Sequence, residues 1–150
     1  MLRKSLIYLL FALLSMTAFA TQARTVKIIA QDSLRFSVDE IIAKPGETLT
    51  IKLVNNTKLP AMAMSHNFVL LKNSADPHAF DQAASQAKDT DYIPKSKADE
   101  IIAHTGLVSG GESDTVTFKA PTEPGTYLYI CTFPGHFPAG MKGSLVVKAQ

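Results

Sequence analysis

Gly125-Thr126-Tyr127-Leu128-Tyr129-Ile130-Cys131 runs directly into Thr132-Phe133-Pro134-Gly135-His136, with Met141 five positions beyond that histidine. The segment before Thr132 is rich in aromatic and β-branched side chains and predicts a strand. Side chains alternate across a strand, so Tyr127, Tyr129 and Cys131 share one face while Leu128 and Ile130 share the other. Both faces are apolar, and the strand is therefore expected to be central and covered on each side. Beyond it, Pro134, Gly135, Pro138 and Gly140 supply the preset and positive φ angles that turns require. Such a loop folds back between a strand ending at Cys131 and another starting at Met141, and a thiolate, an imidazole and a thioether converge.

Thiolate and thioether are soft donors that select Cu(I), imidazole suits copper, and a His₂Cys plane with a weak axial Met is the ligand set of blue-copper electron-transfer centres. A second histidine is then required, and Met64-Ser65-His66-Asn67-Phe68 supplies it. His66, Cys131, His136 and Met141 are thus the candidate metal ligands, with copper as the candidate cofactor. His66 comes from a distant segment, so only a folded β scaffold closes the site. Singly, each residue has an ordinary reading: the Cys as a small buried hydrophobe, the Met as core, the His after Pro-Gly as a loop residue. The ordered combination outweighs these readings. Zinc also takes Cys and His, but Met is a poor zinc ligand and tips the choice to copper.

Along the rest of the chain, short β-rich stretches are separated by Gly, Pro, Asn and Asp, the pattern of an all-β sandwich or barrel. Strands are expected at residues 25–30, 34–36, 40–42, 48–55, 66–71, 113–119, 125–131 and 143–148, mainly antiparallel. Lys44-Pro45-Gly46-Glu47 and Glu123-Pro124-Gly125 read as turns. Between Lys72 and His104 the pattern changes. Asp76-Pro77 is a helix start, with Asp as cap and Pro at the first helical position, and the Ala- and Gln-rich run to Lys88 favours helix. This region is expected to form an inserted helical flap, with His78 at its exposed beginning and residues 95–100 as a solvated return loop.

The N-terminus reads as a secretory signal peptide over residues 1–20: Arg3 and Lys4, an apolar run from Leu6 to Leu14, then Ala18-Phe19-Ala20. Cleavage is expected after Ala20, with Ala23 as the second choice. The run falls short of the roughly 20 apolar residues of a transmembrane anchor. Without Arg3 and Lys4, 13 basic residues face 13 acidic ones, so the net charge of +2 belongs to the leader. No basic face exists for nucleic acid. Cys131 is the one cysteine, and an unpaired cysteine in an exported chain is either reactive or occupied, as by a metal. Residues 21–150, about 130 in number, suffice for one domain.

Four stretches together resemble the azurins, small periplasmic members of the cupredoxins: Met64 to Leu70, Asp91-Tyr92 with Ile101 to Thr105, Gly110 to Phe118, and Cys131 to His136 with Met141-Lys142-Gly143. The resemblance covers most of the chain from His66 onward and, before Met62, lies in strand pattern more than in residues. It implies a Greek-key β-sandwich of about eight strands with a flap helix, and single-electron transfer through one type 1 copper. By the same resemblance His66, Cys131 and His136 are equatorial ligands and Met141 the axial one, and the backbone N–H groups of Asn67 and Phe133 serve the Cys131 sulfur. Asn67 and Thr132 are expected to tie the two ligand segments together. Three departures stand out. Met141 is five positions past His136, a spacing more like the auracyanins and plastocyanins; Ser65 replaces the glycine whose carbonyl approaches copper opposite the Met, favouring four-coordination; and no second cysteine exists for the azurin disulfide.

These readings point to a monomeric periplasmic electron carrier and not an enzyme, since a second catalytic copper would need more histidines than His78 and His104. Redox proteins such as cytochromes or copper enzymes are the expected partners. A copper chaperone or storage protein using the same donors is the alternative. Leu59, Pro60, Ala61, Met62, Phe137, Pro138 and Ala139 are apolar residues in the flanking loops, expected to form a docking patch around the solvent-side edge of His136. His104 is expected on the surface as a bystander. Asn55-Asn56-Thr57 matches a glycosylation acceptor, to which a bacterial-looking leader gives little weight.

Overall fold

A computed structural model describes residues 22–149; the leader expected over residues 1–20 lies outside the described residues. The chain forms β1 (Arg24–Gln31), β2 (Arg35–Phe36), β3 (Glu40–Ala43), β4 (Thr48–Asn55), a one-turn helix α1 (Ala61–Met64), β5 (Val69–Leu71), α2 (Pro77–Ser85), β6 (Ile101–His104), β7 (Ser113–Lys119), β8 (Gly125–Ile130) and β9 (Lys142–Val147). Two sheets result, ordered β2-β1-β4-β7 and β3-β9-β8-β5-β6. They form an open β-sandwich and do not close into a barrel. The β1/β4 and β3/β9 pairs are parallel and the other pairs antiparallel.

Alternation along the strands builds the core between the sheets. In β4, Leu49, Ile51 and Leu53 are buried at every second position, and Ile28 and Ala30 of β1 face the same way. β8 carries two cores at once. Tyr127, Tyr129 and Cys131 belong to the core between the sheets, while Ile130, with Leu128 packed beside it, joins a second cluster with Val69, Leu71, Phe80, Ala84 and Phe137. That second cluster is roofed by α2, whose Asp76 cap accepts hydrogen bonds from the amides of His78 and Ala79 at 2.9 and 3.3 Å. Both faces of the strand that ends at Cys131 are thereby fixed. Tyr129 crosses the first core to donate a hydrogen bond to the Val38 carbonyl, and its ring sits against Gly143, where any Cβ would come within 2.3 Å of it.

Four features differ from the sequence expectation, two in the strands and two in the helical flap. The strand expected from His66 begins only at Val69. His66 makes an isolated bridge to Val108, and the Phe68 amide bonds the Thr105 hydroxyl instead of a neighbouring backbone. Ile101–His104 is an edge strand against β5, with a register shift at Leu70/Leu71, where no strand was expected. The return loop over 95–100 is a 3₁₀ turn, and α2 stops at Ser85 instead of Lys88.

The second core gives a stability test. Phe80→Ala empties a fully buried site and is expected to cost about 3–5 kcal/mol in urea unfolding of the metal-free protein. A loss below about 1 kcal/mol, the level of an ordinary surface change, would mean that α2 does not seal β8.

Candidate metal centre

Cys131 follows the last residue of β8, and its amide donates to the Met141 carbonyl at 3.1 Å, so the two ends of the loop are stitched side by side. Between them the chain closes on itself through nested turns. The His136 amide donates to the Phe133 carbonyl (3.0 Å), Gly140 to Phe137 (2.8 Å) and Met141 to His136 (2.9 Å). Gly135 and Gly140 carry φ of +85° and +104°, conformations that other residues rarely adopt. His66 reaches the loop from the other side, held by its two-way backbone bridge to Val108 at 3.0 and 2.8 Å.

The result is a buried triangle. Sγ of Cys131 lies 3.8 Å from Nδ1 of His66 and 3.5 Å from Nδ1 of His136, and the two Nδ1 atoms are 3.1 Å apart. A trigonal ion with bonds of about 2.0–2.3 Å, the range for nitrogen and sulfur on zinc, would set its donors about 3.5–3.8 Å from one another. The triangle therefore fits one small metal ion with little movement. Both histidines present the same nitrogen inward. On His136 the outward Nε2 is hydrogen-bonded to the Ala63 carbonyl at 3.2 Å, which makes it the protonated nitrogen and leaves the Nδ1 lone pair free. On His66 the outward Nε2 is buried and has no partner among the described residues. Met141 is fully buried in the same core cluster as Cys131.

Burial sets the protonation of the metal-free site. It pushes the Cys131 thiol up to about 12, against the opposing pull of the Asn67 and Phe133 backbone N–H groups. It lowers His66 to about 4, helped by the neighbouring His136, and lowers His136 as well, with the Ala63 carbonyl opposing. Metal-free, the triangle holds a neutral thiol and two neutral imidazoles. A bound cation converts the thiol to thiolate and releases its proton.

The shell around these residues holds them in place. Asn67 Oδ1 accepts from the Thr132 amide and its Nδ2 donates to the Thr132 hydroxyl, both at 2.8 Å, and that hydroxyl donates on to the Tyr92 carbonyl at 2.8 Å. This joins the His66 segment to the Cys131 segment, as the sequence led one to expect. Sequence reasoning missed Asn55: it is fully buried, and its amide donates to the carbonyls of Met64 at 2.7 Å and Val108 at 3.1 Å. Its position at a strand end before a polar turn was the available signal. Buried and engaged this way, Asn55 is unfit as a glycosylation acceptor in the folded chain. Ser65, also buried, donates its hydroxyl to the Ala61 carbonyl at 2.9 Å and so ties α1 down beside His66.

Two features of the expected docking patch are corrected. Phe137 is only 5% exposed and packs in the second core, because the turn at Gly135 points it back toward Phe80. His136 does not present a bare edge to solvent; α1 lies over it through the Ala63 carbonyl, and the residue is 4% exposed. Leu59 (45%) and Met62 (93%) are exposed. His104 and His78 lie on the surface, the latter with its ring 5.2 Å from that of Phe137.

An open sandwich whose loop triangle fits a single ion defines a cupredoxin metal site. The sequence matches the family described as copper binding proteins, plastocyanin/azurin family, over residues 23–148. It is 39% identical to Auracyanin-B of Chloroflexus aurantiacus over 85% of this chain, although the chain spans only about half (53%) of that protein's length. It is 36% identical to an azurin of Alcaligenes faecalis over 80% of this chain and 94% of that one. Among solved structures, Auracyanin A, a "blue" copper protein of the same Chloroflexus species, superposes with a TM-score of 0.75 at 38% identity, covering 85% of this chain and all (100%) of that one. The chain belongs to the plastocyanin/azurin family of copper-binding proteins.

Burial of neutral histidine makes stability fall with acid. The unfolded chain protonates near the ordinary imidazole value, 6.5, and the folded chain only near 4 at His66. The contribution is thus whole above pH 6.5 and lost as pH falls toward 4, by on the order of 3 kcal/mol. Urea titration of the metal-free protein across that window should show the loss, and His66→Gln should shrink it. A profile unchanged by the substitution would contradict a neutral buried His66.

Proposed function

We propose that this chain is a periplasmic electron carrier in which His66, Cys131, His136 and Met141 would hold one copper. The observation that supports it is the triangle itself: three donors of the right types, buried and preset at one-ion separations, on a chain of a copper-binding family. When bound, the copper supplies a one-electron couple. The protein's part is to hold the donors still. β8 is gripped on both faces, the Asn67–Thr132 bonds join the two ligand segments, and Ala63 fixes the tautomer of His136. Such a cage limits rearrangement on electron gain or loss.

The same reading includes export, with residues 1–20 removed and residues 21–150 as the mature domain. No helix among the described residues is long and apolar enough to cross a membrane. Partners are redox proteins such as cytochromes or copper enzymes, docking weakly over the exposed Leu59, just before α1, and Met62, within it; such contacts are small and transient. The carrier acts without a substrate of its own and is not an enzyme.

Loading the mature domain with Cu(II) tests this. An intense blue thiolate-to-copper absorption and one copper per chain are expected, and Cys131→Ser should remove the colour while circular dichroism stays that of a β protein. Colour retained in that variant would refute the assignment. A colourless protein that holds Cu(I) alone would favour the chaperone or storage reading.

A further inference from the structure

Arg35 lies in β2, in the sheet opposite the metal loop, and is separated from Gly140 by 105 positions. Its neighbour Phe36 is buried and packs against Tyr129 with ring centroids 5.5 Å apart. Alternation then turns Arg35 outward, over the metal loop. One guanidinium nitrogen, Nη1, donates to two carbonyls, that of Leu34 at 2.8 Å and that of Ala139 at 2.7 Å. Ala139 precedes Met141 by two residues. The guanidinium also lies against the bare Cα of Gly140: a Cβ there would meet Nη1 at 2.9 Å and Cζ and Nη2 at 3.0 Å. Gly140 is therefore glycine for two reasons, its φ of +104° and the cation laid against it. Leu34, which aims the arginine, itself holds a positive φ of 55°. The planar fork of arginine suits a contact that combines directional donation with flat packing, which a lysine cannot reproduce.

We infer that Arg35 is the positioning residue for the axial end of the metal loop, fixing Ala139-Gly140 and through them the place of Met141. The loop between His136 and Met141 is otherwise held by its own turns and by Phe137 in the second core, and among the described residues Arg35 ties its far end to the opposite sheet. The inference rests on the copper assignment above only for its spectroscopic arm.

The experiment compares Arg35→Met with the unaltered mature protein in two forms. In the metal-free form, amide hydrogen exchange at Gly140, Met141 and Lys142 should speed up roughly tenfold or more, the equivalent of one hydrogen bond from a charged donor, while Ile51 in β4 stays unchanged. In the copper-loaded form, the ratio of the thiolate charge-transfer bands and the electron paramagnetic resonance spectrum should shift, and Arg35→Lys should recover part of the original spectrum. Exchange that accelerates equally at Ile51, with unaltered spectra, would reduce Arg35 to a general stabiliser and overturn the proposal. A change confined to the reduction potential, with exchange and spectra untouched, would assign the effect to charge and overturn it too. If Arg35→Met does not accumulate as folded protein, Arg35→Gln, which keeps polarity but loses the cationic fork, reads the same two quantities against the same outcomes. The metal-free arm stands or falls without copper, so its failure is distinct from a failure of the copper assignment.

Discussion

The structure depends on keeping one sulfur out of water between two neutral imidazoles. A thiol so buried resists ionisation, and only a cation in the middle of the triangle makes its thiolate favourable. Everything nearby serves that arrangement. β8 delivers Cys131 rigidly because Tyr127 and Tyr129 lock one face while Ile130 and α2 lock the other. Packing on both sides leaves the sulfur no room to retreat, since a close-packed interior resists displacement of even one methylene's size.

The hydrogen bonds explain how two remote segments meet without a disulfide. Asn67 and Thr132 exchange two bonds across the junction, Asn55 ties the residue before Ser65 to the residue that bridges His66, and Ser65 fastens α1. Each is a buried polar group with its partners satisfied, a condition under which polar networks specify one geometry instead of several. α1 then covers the outward nitrogen of His136. On the proposed reading, a partner would approach the metal over this turn and its exposed Met62, not over a bare imidazole edge.

Much of this was legible in the residues. The alternation of Tyr127 to Cys131 and the Pro-Gly turns announced the central strand and the loop, because each rests on local stereochemistry. Asp76-Pro77 announced α2 for the same reason. Less legible were events decided by tertiary partners. Thr105 takes the Phe68 amide that a longer strand would have used. Phe137 turns inward because Phe80 offers a second core. Ala63 covers His136 through a carbonyl, a group every residue has, so no side chain signalled it. Arg35 and Gly140 are 105 positions apart, and nothing in either neighbourhood names the other.

The central claim is a cage already built before the ion arrives and unmoved by its change of valence. High-resolution crystal structures of the metal-free, Cu(I) and Cu(II) forms test it most directly. The account predicts that Cys131, His66 and His136 superpose in all three, with both Nδ1 atoms and the sulfur turned to the same point. A His136 ring swung away from Ala63, or a Cys131 sulfur turned into the core in any one form, would contradict it.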